Sequence, residues 1–140
     1  AEIRAAGAQL QLIGDGDIAG ALRAATGEAD LLLGIGAAPE GVITATALRG
    51  IGGFFEGRLH FHKPEFRARA VEMLGDDIDR LWQRDELCTS DDAVFVATGV
   101  CDGWLPGPVA GKSGTVTTSR VISVADSRDE IIRHEHAPAS

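Results

Sequence analysis

The carboxylates best placed to do chemistry in this 140-residue chain stand in two glycine-framed turns. One is Gly14-Asp15-Gly16-Asp17, and the other is Gly34-Ile35-Gly36-Ala37-Ala38-Pro39-Glu40-Gly41. Carboxylate oxygens on a turn accept hydrogen bonds from sugar hydroxyls or ligate a hard cation. Glycines beside them let a ligand come close to the backbone. Each carboxylate also has a plainer use. Asp15 or Asp17 suits a helix N-cap, where the side chain accepts a backbone N–H. Glu40, directly after Pro39, suits a first helical turn, where its charge meets the positive end of the helix dipole.

The elements that must hold these turns are legible in the apolar pattern. Residues 10–13 form a short apolar run, and residues 18–25 carry Ile18, Leu22 and Ala25 on one helical stripe. Residues 31–33 are three leucines without alternation, as in a strand covered on both faces, and residues 42–49 read as a second helix. In an open α/β sheet the loops that follow parallel strands emerge on one side, so the two turns are expected to line one crevice. The spacing Gly14-x-Gly16-x-x-x-Gly20 also fits a dinucleotide-binding turn. Two observations oppose that reading. Asp15 and Asp17 would face the pyrophosphate, and Leu33 is followed by Gly-Ile-Gly where a ribose-binding acid belongs.

The strings Leu-Ile-Gly-Asp-Gly-Asp-Ile-Ala (12–19), Gly-Ile-Gly-Ala-Ala-Pro-Glu-Gly-Val (34–42) and Ala-Leu-Arg-Gly-Ile-Gly-Gly (47–53) together resemble the class II, GlpX-type fructose-1,6-bisphosphatases. The resemblance runs on through Glu56-Gly57-Arg58-Leu59 and Asp91-Asp92-Ala93-Val94-Phe95-Val96-Ala97-Thr98-Gly99-Val100 to Thr117-Thr118-Ser119. It implies a metal-dependent sugar-bisphosphate phosphatase of the fructose-bisphosphatase and inositol-phosphatase superfamily, with a place in gluconeogenesis. The Asp-Gly-Asp turn of the family binds sugar, which implies that role for Asp15, Gly16 and Asp17. The glutamate of its Ala-Pro-Glu-Gly loop ligates a divalent Mn²⁺ or Mg²⁺, matching Glu40, and the position three before it contacts substrate, matching Ala37.

The family further implies a homo-oligomer and a longer N-terminal region that carries most of the metal carboxylates. No catalytic residue of that region has a counterpart here. The opening Ala1-Glu2-Ile3-Arg4-Ala5-Ala6-Gly7 reads as the end of a helix, and the chain as a fragment or a shortened relative.

The expected fold is a single α/β domain over residues 1–140, a mixed sheet flanked by helices that corresponds to the C-terminal domain of the family. A net charge of −8 speaks against nucleic acid and acidic membranes as partners, while an anionic substrate remains compatible through bound cations. No apolar run has the length of a membrane span, and no targeting signal stands out, so a cytoplasmic location is expected. Cys88 and Cys101 have no metal-like spacing and are expected as free thiols.

Further along, residues 55–61 alternate like a strand and place His60 and His62 on one face. Pro64 starts a helix with Phe66, Ala70, Met73 and Leu74 on one side, ended by Gly75. A short helix is expected near 84–87 and a buried strand over 93–100. Two final strands follow over 116–124 and 129–133, with His134-Glu135-His136 as a fraying terminus.

Overall fold

A computed structural model describes residues 2–138. Its elements run α1 (Glu2–Ala5), α2 (Asp17–Ala25), α3 (Ala38–Gly50), β1 (Glu56–Gly57) and α4 (Pro64–Leu74). A 3₁₀ turn (Gly75–Asp79) leads to β2 (Trp82–Gln83) and α5 (Arg84–Leu87). The chain closes with β3 (Val94–Thr98), β4 (Val109–Ala110), β5 (Thr115–Ser123) and β6 (Asp129–His136). The α/β class holds, with helices packed on a sheet.

Every strand pairing among the described residues is antiparallel, where a mixed sheet was expected. The long strand β5 is central. It pairs along one edge with β3, from Val94 opposite Ser123 to Thr98 opposite Ser119, and with the short β4. Its other partner is β6, in register from Thr115 opposite His136 to Ile122 opposite Asp129. Residues 134–136, expected to fray, are thus the last rungs of this ladder. A separate two-stranded ribbon joins β1 to β2.

Helix α3 lies on β3 and β5, and α2 packs beside α3. The core is built where these elements meet, from Ala21, Leu22, Ala47, Leu48, Phe95 and Ile122, with Ile18, Leu32, Ile51, Phe55, Ala97 and Trp104 packed around them. Gly50 permits the close approach of α3, because a side chain there would strike Ile122.

Strand β3 departs from its expected double coverage. Phe95 and Ala97 turn inward, whereas Val94 and Val96 are exposed, so residue alternation rather than uniform burial governs this strand.

The two extended segments that lead into the carboxylate turns, residues 10–13 and 31–33, join no ladder. Their side chains divide between two sides. Ile13 and Leu32 lie against α2 beside Gly20, while Leu12 and Leu33 are 80% and 74% exposed. Three consecutive leucines therefore signal a segment with two apolar faces, of which this chain covers one.

Residues 55–61 form a strand only at Glu56–Gly57. Helix α4 has its expected limits, with Pro64 at its start and Gly75 (φ 62°) after its end, but none of its residues is buried. Its apolar side is open to solvent, with Phe66 52% and Met73 73% exposed. Helical periodicity reports the presence of a stripe and not what lies against it.

Candidate functional site

Both turns open on one crevice, lined by Ile13, Gly14, Asp15 and Asp17 from the first and by Leu32, Leu33, Gly34, Ile35, Gly36 and Glu40 from the second. The cavity holds about 340 Å³, within the range that small-molecule sites occupy. Its apolar walls come from the two extended segments. Its acids come from the starts of the two helices.

The first turn works because Gly16 takes the left-handed conformation, φ 84° and ψ 42°, immediately before α2. A side chain would strain that backbone, so glycine is the fitting residue. Gly16 occupies the N-cap position, and α2 receives no side-chain cap. The helix-capping role open to Asp15 and Asp17 is therefore not the one they take. Asp15 instead accepts a hydrogen bond from the adjacent Gly16 N–H at 2.7 Å, which orients its carboxylate within the turn. Asp17 is the first residue of α2, placed where the helix dipole favours negative charge.

In the second turn Ala37 is the N-cap, extended at φ −74° and ψ 150°, with Pro39 inside the first turn as expected. Glu40 Oε2 accepts a hydrogen bond from the Ala37 N–H at 2.8 Å. Only half of a capping box exists, since the Ala37 methyl has nothing to offer in return. Glu40 thus fulfils the first-turn reading, and its carboxylate still faces the crevice.

The two turns meet at Gly36. A Cβ built on that residue would lie 2.7 Å from Asp17 Oδ2 and 3.2 Å from Glu40 Oε2, so carboxylates from two different helices converge over a bare Cα. Hard oxygen donors of this kind suit Mg²⁺ or Mn²⁺. Among the described residues no group of three or more His, Cys, Asp or Glu side chains is close enough to hold a metal ion. The Glu40 carboxylate fits such an ion as one member of a larger ligand shell.

Other polar side chains lie outside the crevice. His60 and His62 stack edge to face with ring centroids 5.3 Å apart, and His134 and His136 do so at 4.5 Å. His136 Nε2 is hydrogen-bonded to Thr117 Oγ1 at 2.9 Å, in keeping with a role in the β5–β6 ladder. Asp102 accepts from the Gly107 N–H at 3.2 Å and so organises its own loop. Arg67 pairs with Asp79 on the surface.

Sequence reasoning missed Arg49. From the end of α3 its guanidinium donates to the Cys88 and Ser90 carbonyls at 2.7 and 2.8 Å and to Asp91 Oδ1 at 2.5 Å, tying the approach to β3 onto the helix. A cation in a last helical turn normally passes for a dipole partner, so only the fold reveals this anchor. Gly36 was also passed over, because a glycine signals freedom and not the two carboxylates it keeps together.

Residues 1–137 match the family model described as bacterial fructose-1,6-bisphosphatase, glpX-encoded. A protein of Synechococcus sp. (strain RCC307) named D-fructose 1,6-bisphosphatase class 2/sedoheptulose 1,7-bisphosphatase is 42% identical, over 90% of this chain and 42% of its own length. Proteins of the same name from Prochlorococcus marinus (strain MIT 9515) and Synechococcus sp. (strain JA-3-3Ab) are each 38% identical, covering 90% and 91% of this chain and 43% and 41% of their own. The chain therefore spans about two fifths of the length of these relatives.

Proposed function

The chain belongs to the bacterial, glpX-encoded fructose-1,6-bisphosphatase family, and on that premise we propose that its crevice is the sugar-binding part of a divalent-metal-dependent sugar-bisphosphatase. The meeting of Asp17 and Glu40 over Gly36, at the mouths of two helices, is the observation that carries this reading. In it the substrate is fructose 1,6-bisphosphate, hydrolysed at the 1-phosphate. Sedoheptulose 1,7-bisphosphate, which the relatives' names include, is an alternative substrate for the same crevice.

Asp15 and Asp17 accept hydrogen bonds from sugar hydroxyls, and Gly16 and Ala37 let the sugar approach the backbone. Glu40, already fixed by the Ala37 N–H, ligates Mn²⁺ or Mg²⁺. The metal, when bound, polarises the phosphoryl group and lowers the pKa of attacking water. One glutamate does not make a catalytic metal site, and no group of three or more His, Cys, Asp or Glu side chains converges among the described residues, so in this reading further carboxylates from the rest of a longer enzyme complete the site. Residues 1–140 act as one domain of a homo-oligomeric, cytoplasmic enzyme. No helix among the described residues is long and apolar enough to cross a membrane.

The test is made in a chimera in which this chain replaces the matching portion of the strain RCC307 relative. Asp17→Asn should raise KM for fructose 1,6-bisphosphate with the metal requirement unchanged, since a sugar contact is lost and a ligand is not. Unaltered KM in a folded Asp17→Asn chimera would remove Asp17 from the site.

A further inference from the structure

We propose that Gly36 is a positioning residue, whose missing side chain lets the Asp17 carboxylate stand where it can meet a sugar hydroxyl. The inference rests on the crevice being a sugar-phosphate site, and it assigns a role to a position that contributes no functional group. Glycines usually serve backbone geometry. Gly36 is not among the positive-φ residues, so an L side chain is conformationally admissible there. Nor is it held by close packing against the fold, because the three atoms nearest to a Cβ at this position all belong to the two acids: Asp17 Oδ2, Glu40 Oε2 and Asp17 Cγ, at 2.7, 3.2 and 3.8 Å.

The two carboxylates are unequally free to yield. Glu40 Oε2 is tethered by the Ala37 N–H, whereas Asp17 projects from the first residue of a helix that lacks a side-chain cap. A methyl at position 36 would therefore turn Asp17 aside while Glu40 gives by only a few tenths of an ångström. Since the displaced atoms are the ends of a short side chain, the fold should tolerate the change. Replacing glycine at an admissible backbone also narrows the unfolded ensemble, which favours the folded state.

Two chemical consequences follow. Loss of the Asp17 hydrogen bond weakens sugar binding, and the weakening belongs entirely to the clash with Asp17. Removing the clashing carboxylate must then abolish the effect of the methyl.

The experiment is a double-mutant cycle in the chimera, read by calorimetric titration with fructose 6-phosphate, the product of hydrolysis at the 1-phosphate, in excess Mg²⁺ and by thermal unfolding. Gly36→Ala should raise Kd by about tenfold, the value of one lost hydrogen bond to a charged group, with Tm unchanged or slightly higher. In the Asp17→Ala background, Gly36→Ala should leave Kd unchanged. A Gly36→Ala chimera that binds as tightly as the parent overturns the inference and leaves the crevice reading intact. So does a further weakening of similar size in the Asp17→Ala background, which would give Gly36 a contact of its own. A large drop in Tm would overturn it in favour of a folding role. Absence of binding by an active parent chimera would defeat the crevice reading, and the inference with it.

Discussion

Glu40 serves two purposes that a single substitution can separate. Its hydrogen bond to the Ala37 N–H and its place in the first turn of α3 are structural facts, and metal ligation is the function proposed for the same oxygen atoms. Glu40→Gln keeps the shape and removes the charge. If the carboxylate is only a dipole partner, the variant loses about 0.3–1 kcal/mol of stability and keeps its rate. If it ligates metal, the chimera needs far more Mn²⁺ for activity and its turnover falls by orders of magnitude, as a metal titration of the rate will show. Retained turnover at unchanged metal concentration would return Glu40 to the purely helical role. The acidic turns, their order and the presence of a helix after each were legible in the sequence, because glycine, proline and aspartate mark local geometry. Helix α3 nevertheless begins at Ala38, ahead of the expected residue 42, and Gly16 rather than an aspartate caps α2. Which oxygen is tethered and which is free was not legible. That depends on how α2 and α3 are set side by side, which local pattern does not encode.

Elements here are held by a few contacts that span long stretches of chain. Leu22 on α2 has no exposed surface and sits in the shared core with Leu48 and Phe95, so Leu22→Ala should cost about 2–5 kcal/mol, measured by urea unfolding. Arg49→Ala should loosen residues 88–91 from α3, with faster amide exchange on that approach to β3 and little change in α2. At the far end of the sheet, Arg120 grips Asp129 through two hydrogen bonds of 2.8 and 2.6 Å, joining β5 to β6. Hydrogen bonding from Arg120 holds the Asp129 carboxyl below its ordinary 3.8. A folded-state pKa below the unfolded one means that the pair stabilises fully above pH 3.8 and that its contribution fades as pH falls through the lower folded value. Asp129→Asn should accordingly lower stability at neutral pH and flatten its decline in acid, seen as a smaller shift of the urea midpoint below about pH 4.

At the scale of the whole molecule the apolar surface is unevenly covered. Leu12, Leu31, Leu33 and Ile35 stand on exposed sides of the two extended segments, next to the acidic turns, while their neighbours Ile13 and Leu32 pack on α2. An uncovered apolar patch of that kind is uncommon on a soluble monomer and should bind a hydrophobic dye, with Leu33→Lys lowering the signal. It also explains why the pattern read from sequence, strands covered on both faces, matched the residues and not the observed pairings. Leucines that face a partner and leucines that face solvent are written alike. On the function proposed above, this chain carries the sugar-binding part of a bisphosphatase site and needs carboxylates from beyond its own residues to complete it. The decisive measurement is phosphate release from fructose 1,6-bisphosphate with Mn²⁺, comparing the 140-residue chain alone with the chimera. No measurable turnover is expected from the chain alone, and turnover on the order of 1–10³ s⁻¹ from the chimera, abolished by Glu40→Gln. Turnover in that range by the chain alone, or a folded chimera that binds fructose 1,6-bisphosphate no better with Asp17 than without it, would contradict that division of the site.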